Sequence, residues 1–279
     1  MLPLESVPNF SDGRDGAVIA AIGTEIARFA ELLDVHSDAD HNRSVYTFAG
    51  DEAQIVDALL ASIVVAQERI DLRAHDGVHP RIGAADVVPV VAIRREEAEL
   101  ARETARVAAQ RIGDDGYGPA FFRRGGPEEL QRRIDAGELA PDFGPPRLHP
   151  SAGGVIVGAR RPLIAFNVNL SHADVEAAKE IARVVRERDG GFPGVRALGL
   201  DLPRAGHAQI SMNVEDWEAS ALHDIVGAIE REAEARGVEI AGSELVGLMP
   251  AGAAVAAAGA LLRISGFDAS RVLELRLLE

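Results

Sequence analysis

The sequence predicts an α+β protein built from two ferredoxin-like (split βαβ) subdomains with a ligand cleft between them. Apolar residues alternate with polar ones in some segments and recur at helical spacing in others, and the resulting order of elements occurs twice. Composition agrees. With 279 residues, 47% of them hydrophobic, the chain can bury a sizeable core, and its length suits one large domain or two modest ones.

The first half opens with a short strand, Glu5 to Phe10, and a helix from about Gly13 to Ala30. Strands follow at Glu31 to His36 and Arg43 to Phe48. A second helix puts Ile55, Leu59, Ile63, Ala66 and Ile70 on one face. The near-continuous apolar run Val87 to Ile93 reads as a buried strand. A helix from Arg95 to Ile112 and a strand near Tyr117 to Phe122 extend this half.

The second half begins at Leu163, where Ile164, Phe166, Val168 and Leu170 alternate with Ala165, Asn167 and Asn169. Ser171, followed by Asp174, predicts a helix start of the capping-box type. Val175, Ala178, Ala182 and Val185 mark that helix's buried face. Strands at Val195 to Leu202 and His207 to Val214 come next, then a helix burying Leu222, Ile225, Ile229 and Ala233 that stops at Gly237. A strand from Val238 to Leu245 closes the unit.

Both halves therefore read β-α-β-β-α-β. Asn9-Phe10-Ser11 and Asn169-Leu170-Ser171 stand at the same strand-to-helix junction. Gly125 to Gly154 is rich in Gly and Pro and reads as a connection. The expected subdomains are residues 1–162, including a connecting segment of about 125–162, and 163–279.

The 44 acidic against 29 basic residues give a formal charge of −15, which argues against a broad nucleic-acid surface but not against a small clustered anion site. The absence of Cys excludes disulfides, thiolate metal sites and Cys nucleophiles. Met1 to Glu5 lack the cationic start and apolar run of a signal peptide, and the Ala/Gly-rich stretch from Gly247 to Leu262 is too short and too weakly apolar to span a bilayer. A cytoplasmic protein that does not engage a membrane is the expectation.

The densest run of chemically capable residues is His75-Asp76-Gly77-Val78-His79-Pro80-Arg81-Ile82-Gly83-Ala84-Ala85-Asp86. Pro80 biases His79 towards an extended backbone. With Asp76, Arg81 and Asp86 nearby in sequence, His79 has what a general base needs; the alternative is a surface histidine or a loop cap. His36-Ser37-Asp38-Ala39-Asp40-His41-Asn42-Arg43 has metal-capable side chains but no established ligand spacing, so a polar, substrate-facing turn is the reading and no metal is expected. Pro141 to Gly154 is stiffened by prolines and flanked by glycines that permit close backbone approach; on composition alone it reads as a linker. Gly154-Val155-Ile156-Val157-Gly158 lacks nucleotide-fingerprint spacing and a preceding strand. His172, His207 and His223 read as structural or solvent-exposed.

Several colinear segments resemble the formiminotransferase domain, the transferase half of formimidoyltransferase-cyclodeaminase and its stand-alone microbial relatives. They are Val7 to Gly13, Asn42 to Phe48, His79 to Val87, Ala140 to Pro145, Leu163 to Leu170 and Gly242 to Leu248, in family order from residue 5 to about 265. The resemblance implies two ferredoxin-like subdomains enclosing a folate site, and transfer of the formimino group from N-formimidoyl-L-glutamate to N5 of tetrahydrofolate, releasing L-glutamate, in histidine degradation. It implies His79 as the catalytic acid–base group. It also implies a folate-binding segment of Gly144, Pro145, Pro146, Arg147, Leu148, His149, Pro150, Ser151, Ala152 and Gly153. Arg43, Arg81 and Arg147 become candidates to receive substrate carboxylates. Asn9, Asp38, Asn42, Asn167 and Asn169 become candidates for further substrate contacts. Tetrahydrofolate is the implied co-substrate, and a homodimer and a separate cyclodeaminase are the implied partners. His36 and Ala152 depart from the family's pattern. Formyl transfer, a 5-formyltetrahydrofolate cycloligase-type reaction and non-catalytic folate binding remain the alternatives.

Overall fold

The computed structural model describes residues 3–78, 80–122 and 127–277. The chain is α+β and divides into two compact units between Arg161 and Pro162, each with its own apolar core.

In the first unit, β1 (Leu4–Ser6) and β2 (Asn9–Phe10) are one strand broken at Val7-Pro8. Pro8 has no N–H for the ladder, so the expected continuous strand lapses there, although its carbonyl still accepts from the Tyr46 N–H at 3.1 Å. Helix α1 (Gly16–Ala27) starts later than the expected Gly13. Asp12 Oδ1 accepts from the Arg14 and Asp15 N–H groups, both at 2.9 Å, and closes a turn before the helix. The cap itself is Asp15, whose Oδ1 accepts from the Ala17 and Val18 N–H groups at 2.8 and 3.3 Å.

The hairpin β3 (Glu31–Asp38) and β4 (Arg43–Gly50) follows. Helix α2 (Glu52–Arg69) opens with a reciprocal Asp51–Gln54 capping box. After it come β5 (Ala85–Val91), α3 (Ala98–Asp114), β6 (Ala120–Phe122), α4 (Pro127–Asp135) and β7 (Val155–Arg160).

The broken first strand lies in the centre of the sheet, antiparallel to β4 on one side and β5 on the other. Strand β3 flanks β4, while β7 and then β6 add in parallel beyond β5. Phe10, Tyr46 and Phe48 pack from one sheet face on Ile22, Ile26, Ile55, Leu59 and Ile63, all fully buried. At about 1.5–3 kcal/mol for each large side chain buried, this face dominates the unit's stability.

The segment read as a connection is part of this unit. It contains α4, and β7 lies between β5 and β6. No strand was expected at Val155–Arg160, because its apolar run is only Val155-Ile156-Val157 before Gly158, too short to mark a strand.

The second unit runs β8 (Ile164–Leu170), α5 (Val175–Val185), β9 (Val195–Leu202), β10 (His207–Val214), α6 (Leu222–Ala235) and β11 (Ile240–Val246). Helices α7 (Ala251–Leu262) and α8 (Leu273–Leu277) follow. Among the described residues, no helix is long and apolar enough to cross a membrane. The sheet order is β11-β8-β10-β9, antiparallel throughout. In both units the strand after the first helix lies outermost, followed by its hairpin partner, the first strand and the strand after the second helix. Ile164, Val168, Leu170, Ile210 and Val214 meet Ile181, Ile225 and Ile229 of α5 and α6 in the core.

Ser171 is not the cap of α5. Asp174 Oδ1 accepts from the Ala177 N–H at 2.9 Å, while the buried Ser171 Oγ has no hydrogen-bond partner among the described residues. Asp174→Ala therefore costs about 1 kcal/mol of unfolding free energy, the usual value of an N-cap. Ser171→Ala stays within ~0.5 kcal/mol of wild type, since it removes no bond. Urea denaturation of the two variants checks this; the opposite ranking would restore Ser171 as the cap.

Candidate functional site

The His75–Asp86 segment joins a single 3-10 turn at Leu72–Ala74 to β5 and is anchored on both sides. On the entering side the Val78 N–H donates to the Asp40 carbonyl at 3.2 Å. On the leaving side the Ile82 N–H donates to Asp86 Oδ1 at 2.7 Å. Ser11 then adds two bonds, Oγ to the Gly83 carbonyl at 2.7 Å and N–H to the Ala84 carbonyl at 2.8 Å. His79 itself lies outside the described residues.

Around this loop the fold gathers three guanidiniums in an otherwise acidic chain. Arg43, at the start of β4, pairs directly with Asp86, which is fully buried. Burial pushes the Asp86 carboxyl up; the Arg43 charge and the Ile82 N–H pull it back. Arg14, in the turn before α1, pairs with Asp76 at 2.6 Å. Arg81 donates to the His41 and Asn42 carbonyls at 3.3 and 3.4 Å, and its Nη1 lies 2.7 Å from His75 Nδ1.

Arg81 is pushed down to about 10, first by burial and then by the Arg43 charge, with Arg14 adding to it. His75 is also lowered, by burial first and then by Arg81. Its Nε2 lies 3.2 Å from the Asn42 carbonyl, and both ring nitrogens face Arg81 Nη1. Two of the three Arg residues are thus paired with carboxylates of the loop and of β5, Arg14 with Asp76 and Arg43 with Asp86.

Asn42 adopts a left-handed backbone, φ 47°, and is buried. Its Oδ1 accepts from the Gly13 N–H at 3.0 Å and its Nδ2 donates to the Asp76 carbonyl at 2.8 Å. Asp38 Oδ1 accepts from the His41 N–H at 2.7 Å and shapes the β3–β4 turn. Asn9 Nδ2 donates locally to the Val7 carbonyl at 3.1 Å; Asn9 lies opposite Val45, which places it on the sheet face that carries Arg43. Among the described residues, no group of three or more His, Asp or Glu side chains is placed to hold a metal ion.

The Gly144–Gly153 segment is built onto the same loop. Leu72 and Ala84 donate their N–H groups to the Ser151 and Ala152 carbonyls at 2.8 and 2.9 Å, and the Gly154 N–H donates to Ile82 at 3.0 Å. A Cβ on Gly83 would lie 1.9 Å from the Gly154 carbonyl oxygen, and one on Gly153, φ 69°, would lie 2.0 Å from that of Ile82. Only glycine permits this approach. Leu148 packs with Ile82, Phe121, Leu130 and Ile156. His149 and Gly153 exchange main-chain bonds at 2.8 and 2.9 Å, and His149 Nδ1 accepts from the Ala152 N–H at 3.0 Å. Ala152 is buried, whereas Pro145, Pro146, Arg147 and Pro150 are exposed.

In the second unit, Asn167 and Asn169 lie on the sheet face opposite α5 and α6. Asn167 Nδ2 donates to Glu244 Oε2 at 3.2 Å, and Gln209 Nε2 donates to Asn169 Oδ1 at 2.9 Å. Glu244 and Gln209 were not singled out from the sequence, although register makes them cross-strand neighbours of the two asparagines. Arg14 and His75 also went unassigned. Arg14 is remote from the loop in sequence, and His75 precedes the more conspicuous His79-Pro80 pair.

Residues 3–160 match the family model described as "Formiminotransferase domain, N-terminal subdomain", and residues 165–266 match the one described as "Formiminotransferase domain". The chain belongs to the formiminotransferase domain family. It is 36% identical over 283 residues to the glutamate formimidoyltransferase of Streptococcus pyogenes, covering 95% of each chain. It is 37% identical over 291 residues to that of Thermoplasma acidophilum, covering 97% of this chain and 96% of the relative. The formimidoyltransferase-cyclodeaminase of Rattus norvegicus is 36% identical over 271 residues, which is 88% of this chain but 50% of that protein.

Removing one partner of the buried Arg43–Asp86 pair leaves the other charge without it in a desolvated site. Asp86→Ala is expected to cost about 3–5 kcal/mol of stability, read from denaturant melts at neutral pH. A loss under ~1 kcal/mol would mean that the pair holds nothing together.

Proposed function

We propose that this chain is a glutamate formimidoyltransferase, moving the formimino group from N-formimidoyl-L-glutamate to N5 of tetrahydrofolate with release of L-glutamate. The observation that carries the reading is the family match across both units, joined to a His79 loop whose described neighbours are fixed against the Gly144–Gly153 segment. The names of the relatives from Streptococcus pyogenes and Thermoplasma acidophilum support the same activity.

Tetrahydrofolate supplies the accepting nitrogen, and the Gly144–Gly153 segment is the proposed place of its binding. The exposed Arg147 and the prolines around it offer a stiff surface with one cation, and the main chain beneath is held by the His149–Gly153 turn. Arg81, and Arg43 beside it, are proposed to receive substrate carboxylates, because a cation crowded by other cations gains most from an anion. Asn9 on the first sheet and Asn167 and Asn169 on the second unit's polar face are proposed to make further substrate contacts.

His79 is proposed to take the proton from N5 as the new N–C bond forms. It returns that proton to the glutamate nitrogen as the old C–N bond breaks, so the histidine ends as it began. Such acid–base help is worth roughly 10²–10⁴ in rate. Holding the two substrates in attacking geometry contributes separately, through the entropy already lost on binding.

The test is product formation from N-formimidoyl-L-glutamate and tetrahydrofolate, read as 5,10-methenyl-tetrahydrofolate after acid treatment. Wild type turns over, and His79→Ala falls by at least ~10²-fold in kcat with little change in KM. Activity that survives the substitution removes His79 as catalyst. Tetrahydrofolate binding with no formimino transfer would redirect the assignment to formyl chemistry or to a binding protein.

A further inference from the structure

Asn42 stands where three otherwise separate segments meet. Its side chain reaches the Gly13 N–H in the turn before α1, at 3.0 Å, and the Asp76 carbonyl in the His79 loop, at 2.8 Å. Its own carbonyl is within reach of Arg81 Nη1 at 3.4 Å and His75 Nε2 at 3.2 Å. The residue is only 7% exposed, and its backbone sits at φ 47°, a region that asparagine tolerates better than most side chains. The oxygen and nitrogen of the amide are thus each bonded to main-chain groups of a different segment.

We infer that Asn42 is a positioning residue for Arg81, and that it sets the geometry of the anion-binding patch without touching substrate. Asn42 holds the segment before His79 through Asp76. It also supplies, from its own carbonyl, one of the acceptors that orient the Arg81 guanidinium. Gly13 ties the same residue to the turn that carries Arg14, so the Arg14 and Arg81 charges are referred to a single residue, one through its side chain and the other through its main-chain carbonyl. The kinetic part of this inference rests on the proposed transfer reaction; the structural part does not.

Two substitutions separate the roles. Asn42→Gly keeps the left-handed backbone accessible and deletes both side-chain bonds. Asn42→Asp keeps an acceptor for Gly13 and deletes the donor to Asp76. Hydrogen exchange at Gly13 and Asp76 to Val78 should accelerate about tenfold or more in Asn42→Gly, as expected when two bonds holding a loop are lost. The KM for N-formimidoyl-L-glutamate should rise by about tenfold, with kcat within about threefold of wild type.

The deciding comparison is a cycle with Arg81→Ala. If Asn42 acts through Arg81, adding Asn42→Gly to Arg81→Ala leaves KM where Arg81→Ala alone put it. Independent, multiplying effects on KM would overturn the inference, as would activity lost with loop exchange unchanged, which would make Asn42 a substrate ligand. Should Asn42→Gly fail to fold, Asn42→Asp carries the same cycle. If wild type does not turn over this substrate, the proposed reaction fails and exchange alone decides: unchanged protection in Asn42→Gly overturns the positioning role.

Discussion

Asp86 is buried at the start of β5, where an ionised carboxylate has few ways to exist. It is tolerated because Arg43 reaches it from β4 and the Ile82 N–H reaches it from the loop. These two bonds do different work. The first ties neighbouring elements of the sheet across the broken first strand; the second fixes where the His79 loop must end. Desolvation makes the arrangement intolerant of partial loss, since either charge left alone in that setting is costly. The loop's leaving side, the Gly83 backbone and the segment docked against it all inherit their position from this pair.

A second consequence is electrostatic. Arg43 is committed to Asp86, so its charge is partly offset, yet it remains close enough to oppose the charge on Arg81. Arg14 and Asp76 repeat the pattern nearer the surface, with the Asp76 side chain 79% exposed and its pairing correspondingly screened. The sequence total of −15 gives no hint of this patch. Net charge governs the far field, whereas a small anion responds to the few cations within a Debye length.

Elements with a clean period were legible in the sequence. Strands β8 and β10 alternate, and α2 and α6 carry apolar residues at helical spacing, so their existence and order could be read. Boundaries set by competing polar residues were not. Ser171 and Asp174 both suit a helix start, and only the chain's path selects Asp174. Strand β7 was hidden because its apolar run stops after Val155-Ile156-Val157, and the glycines around it resemble a linker. In the site, residues contiguous with the His79-Pro80 pair were visible. Arg14, Gln209 and Glu244 were not, because they join through pairings that skip long stretches of chain.

The close approach of Gly83 and Gly153 bears on why the two proposed functional segments sit so far apart in sequence. A catalytic loop and a binding segment that moved independently would need the binding energy of each substrate to bring them together on every turnover. Here the main chain does so beforehand. Backbone bonds from Leu72, Ala84 and Gly154 clamp the segment to the loop's own walls, and the missing Cβ atoms let the two strands of chain come within contact. Main-chain bonds suit this purpose better than side-chain ones, because they lose no rotamer freedom and are indifferent to most substitutions. The surface above can then vary, with Arg147, Pro145 and Pro150 exposed, while the geometry beneath is held. On this argument the glycines are part of the functional architecture: by letting the two backbones meet, they set the distance between the segment that would bind folate and the loop that would move the proton.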